Sequence, residues 1–289
     1  MKKKLNFIPV TFLAMVLMFL AGCKGNTPAS ETTIVDQGSA DTTTQNIPKG
    51  NGYTYVMKME SNPDIIEAGK QVVFSLKPQI DGRESEPVPL EARGGFEIHT
   101  ILVSDDLSWF DHRHPVLSDL GTYELKYTFE EGGIYDLYAD YKPTGSFETY
   151  EKKSFAVNGN STLGKAFKEP KLSSAAGPYQ VSISPGQDDS FVSSSPQLLN
   201  VTISKDNIPV NPSTLGDYLG SKGHMVIINL NDRNFLHVHP SLENGNLVFH
   251  ATFPKPGLYR AWLQFQTENI VQTADFVLQV IDGNTKSGE

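Results

Sequence analysis

Short apolar runs, broken by polar turn residues at intervals of about ten positions, follow one another from Tyr53 to Asp282. In the first half the runs are YTYVMKME, QVVFSLKPQI, FEIHTILVS, LSWFDHRHP, TYELKYTF, IYDLYADYKP and KKSFAVNG. In the second half they are GPYQVSISP, PQLLNVTIS, HMVIINL, NFLHVHP, LVFHATF, GLYRAWLQF and ADFVLQVID. None keeps a helical period over a useful length, so the pattern predicts an all-β chain built from antiparallel sandwiches.

The first fifty residues depart from this pattern. Residues 2–4 are lysines, residues 7–20 are almost wholly apolar, and the small pair Ala21-Gly22 leads into Cys23. This order indicates a secretory signal peptide over residues 1–22. The LAGC sequence ending at Cys23 looks like the lipobox of bacterial lipoproteins, which implies cleavage before Cys23 and diacylation of its thiol. The alternative is a single-pass membrane helix, for which the apolar run is slightly shorter than the required length of about 20 residues.

The remaining composition predicts a tether, two domains and a linker. Residues 23–50 are rich in Thr, Ser, Gly, Asp and Asn and offer little to bury, so we expect a disordered tether behind the lipidated cysteine. Gly159, Gly164 and Pro170 mark a polar stretch between the two sets of runs. The expected divisions are a first sandwich over 51–158, a linker over 159–177, a second sandwich over 178–282 and a tail over 283–289.

A histidine pattern occurs once in each half. FEIHTILVSDDLSWFDHRHP ends at Pro115, and KGHMVIINLNDRNFLHVHP ends at Pro240. A shift of 125 positions superposes six of the seven histidines pairwise: His99 on His224, His112 on His237, and His114 on His239. The match continues through the later strands at a shift of 124, where Tyr138 falls on Trp262 and Tyr141 on Phe265. An internal duplication explains this, and we expect the matched aromatic side chains to pack in the cores.

Each histidine motif predicts a β-hairpin. His112 and His114 lie two apart on one strand and therefore share a face. A turn centred between Asp105 and Asp106 pairs His99 with His112, whereas a turn centred between Asp106 and Leu107 pairs it with His114. In either register all three imidazoles lie on one face, because directly opposed residues of an antiparallel pair also share a face. The second hairpin predicts the same for His224, His237 and His239.

The apolar residues of the hairpins suggest which face is buried. Ile101, Val103 and Phe110 share the histidine face, which we therefore expect to point into the sandwich core. Leu236 and Val238 are expected on the opposite, outer face of the second hairpin. Their apolar character suggests that this outer face is the contact between the two sandwiches.

Three converging neutral imidazoles are a ligand set for zinc or copper ions. The predicted metal ligands are His99, His112, His114, His224, His237 and His239, one three-histidine site per repeat. The alternative is that these are structural, hydrogen-bonded histidines. His250 lies outside the repeat pattern and is expected to be structural or exposed. Met57 and Met59 alternate on one strand, where core packing is the preferred interpretation over a site for cuprous ion.

Composition excludes several classes of site and partner. Cys23 is the only cysteine, so once it is lipidated no thiol remains for disulfides, iron–sulfur clusters, cysteine nucleophiles or blue-copper sites. Loss of the three leader lysines leaves 21 of the 24 basic side chains against 33 acidic ones. Such an acidic chain is a poor match for nucleic acid, whose backbone requires Lys and Arg.

The two halves resemble an immunoglobulin-like domain of exported bacterial proteins, akin to the YtkA-like domains. The resemblance rests on HTILVSDDLSWFDHRHP and HMVIINLNDRNFLHVHP, each of which is followed by a TF-x3-G-x-Y strand pair. The resemblance covers both halves and implies immunoglobulin-like or cupredoxin-like β-sandwiches outside the cytoplasm, with a link to copper or other heavy-metal handling.

Three functions are compatible with these features. The first is a membrane-anchored extracytoplasmic lipoprotein that binds copper or zinc for capture, delivery or resistance, with another exported metal-handling protein as a partner. The second is a tandem immunoglobulin-like spacer or interaction module with structural histidines. The third, a zinc hydrolase, is disfavoured because neither motif carries a repeated Glu or Asp to act as a general base. We therefore expect a protein that is not an enzyme.

Overall fold

A computed structural model describes residues 43–44, 51–119, 121–186 and 189–283, with Thr43 and Thr44 described by their backbone alone. The expected signal peptide over 1–22, the lipidation site Cys23 and the tail from residue 284 lie outside the described residues. So does the expected tether over 23–50, apart from Thr43 and Thr44.

The first sandwich consists of two sheets. Its strands are β1 (Thr43–Thr44), β2 (Tyr55–Asn62), β3 (Ile66–Glu67), β4 (Gln71–Ile80), β5 (Ile98–Ser104), β6 (Phe110–Arg113), β7 (Val116–Leu117), β8 (Tyr123–Thr128), β9 (Gly133–Tyr141) and β10 (Thr149–Asn158). One sheet has the order β1-β10-β9-β5-β6, with β3 beside β10, and the other has the order β2-β4-β8-β7.

The second sandwich repeats this arrangement. Its elements are β11 (Ser173–Ala176), β12 (Tyr179–Pro185), β13 (Phe191–Val192), β14 (Pro196–Lys205), β15 (Ile208–Pro209), the 3₁₀-helix η1 (Pro212–Thr214), β16 (His224–Asn229), β17 (Phe235–Val238), β18 (Pro240–Glu243), β19 (Asn246–Thr252), β20 (Gly257–Thr267) and β21 (Ile270–Ile281). One sheet has the order β13-β21-β20-β16-β17, and the other has the order β11-β12-β14-β19-β18, with β15 beside β14.

Strand order supports the duplication. β2-β4-β8-β7 corresponds to β12-β14-β19-β18, and β10-β9-β5-β6 corresponds to β21-β20-β16-β17. The short strands β3 and β13 lie 125 positions apart, and each pairs in parallel with the last long strand of its own sandwich. The predicted all-β architecture of two tandem sandwiches is confirmed. β11 lies at the end of the stretch expected to be a linker.

Each sandwich has its own apolar core between its two sheets. Tyr141 is completely buried in the first core, where Met57 and Met59 also pack, as expected for core residues. Phe265 and Met225 are completely buried in the second core. Among the described residues, no helix is long and apolar enough to cross a membrane.

A third apolar cluster lies between the sandwiches, and it corrects the predicted orientation of the hairpins. Ile101 and Val103 of β5 pack there with Val226 and Ile228 of β16, whereas Leu236 and Val238 pack against the second core. The histidine face is therefore the inter-sandwich face, and the opposite face points into the sandwich. Alternation along a strand fixes which residues share a face but not which face is inside. Every residue of β5 and of β16 is buried, so both faces of these strands are covered.

Two aromatic pairs relate the sandwiches by an approximate two-fold symmetry. Phe110 stacks on Trp262 with ring centroids 4.9 Å apart, and Phe235 stacks on Tyr138 at the same 4.9 Å. Each pair joins one ring from each sandwich, at positions that the repeat makes equivalent. Tyr138 and Trp262 thus belong to the inter-sandwich cluster and not to the cores predicted for them.

Candidate metal centre

The hairpins β5–β6 and β16–β17 carry the six repeated histidines to the surface between the two sandwiches. Ile101 pairs with His112, so the first hairpin uses the register centred between Asp106 and Leu107. Two positions further, this register places His99 opposite His114. Met225 pairs with Val238 in the second hairpin, which places His224 opposite His239 in the same way.

Ring nitrogens converge within each hairpin. In the first, Nδ1 of His99 lies 3.2 Å from Nε2 of His112 and 3.1 Å from Nε2 of His114. In the second, Nδ1 of His224 lies 3.3 Å from Nε2 of His237. The ligand nitrogens of His224, His237 and His239 all lie within 4.8 Å of one another. The shared face predicted for each set of three is therefore present.

Backbone carbonyls fix the protons of the first histidine in each set. Nε2 of His99 donates to the carbonyl of Arg93 at 3.1 Å, and Nε2 of His224 donates to the carbonyl of Tyr218 at 2.9 Å. A carbonyl oxygen only accepts, so in each neutral ring the single proton is on Nε2. The Nδ1 atoms that face the other histidines therefore carry lone pairs.

The turns that supply these carbonyls touch each other across the interface. Gly94, which follows Arg93, has a positive φ of 58°, a backbone conformation that glycine adopts readily. A Cβ atom at Gly94 would collide with the carbonyl of Leu219, which follows Tyr218. Glycine at this position thus permits the close approach of the two turns.

The middle histidine of each set is oriented from the opposite sandwich. Nδ1 of His112 donates to Oε1 of Gln264 at 3.0 Å, and Nδ1 of His237 donates to Oδ2 of Asp140 at 2.7 Å. Asp140 and Gln264 occupy equivalent positions of the repeat, 124 residues apart. Their acceptor oxygens hold a proton on Nδ1, so in a neutral ring Nε2 of His112 or of His237 carries a lone pair.

Five of the six repeated histidines are held neutral by their surroundings. Burial, reinforced by the charge that His237 would carry when protonated, lowers the pKa of His99 to about 2 and that of His224 to about 3. The same causes lower the pKa of His114 and of His239 to about 4. The pKa of His112 is held well below its ordinary value, again by burial first and the neighbouring rings second. These five rings do not carry a proton charge at neutral pH.

Neutral rings in this arrangement direct lone pairs at one another. The nitrogens of His99 and His112 meet at 3.2 Å with no proton between them, and those of His224 and His237 meet at 3.3 Å in the same way when the His237 ring is neutral. A tetrahedral ion about 2.0–2.1 Å from each nitrogen holds its ligands about 3.3 Å apart. These two pairs of nitrogens therefore match the spacing of ligands around a small transition-metal ion, which would relieve the lone-pair repulsion.

The two sets form one continuous cluster. The ring centroids of His99 and His237 are 5.2 Å apart, and those of His112 and His237 are 5.6 Å apart. Ligand nitrogens of His99, His112 and His237 also lie within 4.8 Å of one another. The sequence predicted one three-histidine site per repeat, each within its own hairpin. The structure adds that the two hairpins face each other, because the histidine face of each is its inter-sandwich face.

Asp140 is a functional residue that sequence reasoning missed. Its side chain is almost fully buried, and Arg93 lies 2.8 Å from its Oδ2 and 3.2 Å from Glu148. Burial alone would raise the pKa of Asp140, but the hydrogen bond from His237, the charge that this ring would carry when protonated, and the charge of Arg93 outweigh burial and lower this pKa to about 2. The sequence signal was the repeat itself, which aligns Asp140 with Gln264 as polar residues in the apolar runs YDLYADY and YRAWLQF.

His250 lies outside the cluster. Its side chain is 56% exposed, and Nε2 lies 2.6 Å from a carboxylate oxygen of Glu243 on the neighbouring strand. This agrees with the expectation that His250 is a structural or surface residue.

Comparisons with known proteins identify no function for this site. Residues 174–282 match a family model described as "Domain of unknown function (DUF8832)". No curated protein matches the chain. One solved structure is titled "Structural basis for the promiscuous specificity of the carbohydrate-binding modules from the beta-sandwich super family"; it is 10% identical, has a TM-score of 0.24 and covers 81% of this chain and 94% of its own. Fold and site together define a tandem β-sandwich protein whose buried inter-sandwich histidines could hold a metal ion.

Proposed function

We propose that this protein is an extracytoplasmic, lipid-anchored metal-binding protein that holds zinc or copper ions at its six inter-sandwich histidines. One ion is bound by His99, His112 and His114, and a second is bound by His224, His237 and His239. The role is capture, delivery or resistance, with another exported metal-handling protein as a partner.

The observation that carries this proposal is the direction of the lone pairs. His99 and His224 commit their only proton to backbone carbonyls, and His237 commits its proton to Asp140. Purely structural histidines would be expected to donate to one another, since a neutral ring has one donor and one acceptor nitrogen. Here the inward nitrogens of His99, His112 and His224 are acceptors, which is the arrangement of metal ligands whose outer nitrogens are bound by carboxylates or carbonyls.

The ligand chemistry favours zinc and copper among the transition metals. Imidazole suits both ions, whereas a thiolate or thioether set would favour cuprous ion. Met225 adjoins His224 but is completely buried in the second core, so it does not join the ligands. A three-imidazole set without sulfur binds Zn²⁺ and Cu²⁺ well.

We assign no catalytic step to the site. Asp140 is the carboxylate in direct contact with the cluster, and its Oδ2 already contacts both His237 and Arg93. A general base needs a free lone pair beside the reacting water. Asp140 instead has the position of a residue that orients a ligand.

Sequence features support the cellular setting of this proposal. The LAGC sequence at Cys23 favours a lipid anchor, and the resemblance of both halves to YtkA-like domains favours export and metal handling. Both features suit a site that exchanges metal outside the cytoplasm.

Elemental analysis of protein purified without a histidine tag tests the proposal. We expect zinc or copper in amounts approaching two ions per chain after equilibration with micromolar metal. A double variant, His99→Ala with His224→Ala, should lose this metal, whereas His250→Ala should keep it because His250 lies outside the cluster. Wild-type protein that binds neither zinc nor copper at micromolar concentration would favour the alternative, a spacer or interaction module with structural histidines.

A further inference from the structure

The repeat makes the six histidines equivalent in pairs, but the residues that accept hydrogen bonds from the middle histidines differ between the two sets. His112 donates to the neutral amide of Gln264 at 3.0 Å, whereas His237 donates to the carboxylate of Asp140 at 2.7 Å. Both acceptors are buried, with 8% of Gln264 and 4% of Asp140 exposed. The two sets of ligands therefore differ in the charge of the group behind the middle histidine.

The surroundings keep this difference in place. Arg93 lies 2.8 Å from Asp140, and this buried ion pair holds the carboxylate at the interface. Arg93 also lies 3.2 Å from the exposed Glu148. The residue equivalent to Arg93 is Tyr218, which has no cationic side chain. In the other histidine set, Nε2 of Gln264 donates to Oγ1 of Thr273 at 3.4 Å, so the amide oxygen of Gln264 faces His112.

A carboxylate behind a metal-bound histidine strengthens the metal–nitrogen bond. It raises the basicity of the ring and places negative charge near the cation, and losing such a partner costs about 10–100-fold in metal affinity. An amide orients the ring equally well but supplies no charge. The set that contains His237 should thus bind a divalent cation more tightly than the set that contains His112.

Proximity of the two sets makes the order of filling matter. The ligand nitrogen of His237 lies within 4.8 Å of those of His99 and His112, so two divalent ions would be close neighbours and repel each other. Repulsion weakens whichever ion binds second. Asp140 decides which set is filled first.

We propose that the two histidine sets are inequivalent sites for divalent zinc-like ions and that Asp140, contributed by the first sandwich, makes the set in the second sandwich the tight site. The first ion binds His224, His237 and His239. The second ion binds His99, His112 and His114 more weakly and is the ion available for exchange. This inference rests on the proposed metal-binding function, and Asp140 acts in it as a positioning residue.

Competition titration of untagged protein with Zn²⁺ and a chromogenic chelator tests the inference. Wild-type protein should take up two equivalents whose dissociation constants differ at least about tenfold. His239→Ala should remove the tight equivalent, and His114→Ala should remove the weak one. Asp140→Asn keeps an acceptor oxygen for His237, so it should weaken the tight equivalent about 10–100-fold and bring the two affinities together.

Glu148→Gln provides the matched control. It removes one negative charge from the Arg93 network without touching His237, and Glu148 is 56% exposed, so both affinities should stay nearly unchanged. The two histidine variants decide the order of filling even if Asp140→Asn folds poorly.

Several results would overturn the inference. Two equal equivalents in the wild type, loss of the tight equivalent in His114→Ala, or equal weakening by Glu148→Gln and Asp140→Asn would each reject the role of Asp140 and leave metal binding intact. Wild-type protein that binds no Zn²⁺ would instead reject the proposed function, and this inference with it.

Discussion

The chemistry of the cluster is decided by where each imidazole keeps its proton. Carbonyls of Arg93 and Tyr218, an amide and a carboxylate draw the protons outward, and inward nitrogens are left as ligands. A proton and a metal ion compete for the same lone pairs. The residues that position the protons are therefore as important as the histidines themselves.

Replacing one middle histidine tests the independence of the two sets. We expect His112→Ala to remove one equivalent of bound zinc or copper and to leave the other, because His224, His237 and His239 keep their own ligand nitrogens within reach. Equilibrium dialysis followed by elemental analysis gives the stoichiometry. His250→Ala is the control and should retain both equivalents; loss of both ions in His112→Ala would mean that the cluster binds as a single unit.

The lowered histidine pKa values predict how the metal-free protein responds to acid. Five rings have folded-state pKa values below the ordinary value, so between about pH 6.5 and pH 4 the unfolded chain binds more protons than the folded chain. The stabilisation that these rings allow should be fully present above about pH 6.5, and the free energy of unfolding should fall as the pH is lowered through this window. Urea denaturation of metal-free protein at several pH values measures this dependence.

Glu151 opposes this trend but does not reverse it. Burial raises its pKa to about 7, so its ionisation destabilises the folded state as the pH rises from about 4.5 to 7. One such carboxyl group acts against five histidines. A stability that is flat between pH 7 and pH 4 would contradict the neutral, buried state of these five rings.

At the scale of elements, the two facing hairpins depend on the aromatic pairs between the sandwiches. Phe235 is 4% exposed and stacks on Tyr138, and Phe110 stacks on Trp262 in the equivalent place. These contacts fix the position of one hairpin relative to the other. They should therefore influence both stability and metal binding.

Removing one of these rings tests the contact. We expect Phe235→Ala to lower the free energy of unfolding by about 3–5 kcal/mol, since a buried phenylalanine is replaced by a cavity. Metal affinity should fall as well, because His237 lies two positions along the same strand. Phe147→Ala, with a side chain that is 54% exposed, is the control. Unchanged unfolding and metal binding in Phe235→Ala would show that the hairpins are held by other contacts.

The sequence specified the hairpins well and their orientation poorly. The spacing of His99, His112 and His114 was enough to predict a shared face and to limit the register to two choices. It could not decide which face was inside, because HTILV and HMVII are apolar at consecutive positions and are buried on both sides. Asp140 was missed for a related reason, since a contact between residues on different sandwiches depends on a docking geometry that strand periodicity does not encode.

At the scale of the molecule, the duplication explains both the symmetry and its exception. Equivalent residues meet across an approximate two-fold axis, as in an isologous contact between identical subunits. In a single chain the two halves can then diverge. One such divergence is that Asp140 of the first half aligns with Gln264 of the second half. The succession of strands in each half followed from the spacing of apolar runs, whereas the packing of the halves against each other did not.

The proposed membrane anchor can be tested on the whole chain. We expect Cys23→Ser to release the protein from the membrane fraction or to leave the precursor unprocessed, because the thiol is the site of lipid attachment. Fractionation with immunoblotting measures both effects. Mature, membrane-bound protein at wild-type levels in Cys23→Ser would contradict the lipobox interpretation.

Anomalous scattering from crystals of untagged, metal-equilibrated protein tests the central claim most directly. Data collected above and below the absorption edge of zinc, or of copper, locate each ion without reference to affinity. We predict two peaks between the sandwiches, each about 2.0–2.1 Å from three imidazole nitrogens of one hairpin. A difference map with no peak at the six histidines, or with peaks only elsewhere on the molecule, would contradict the metal-binding account.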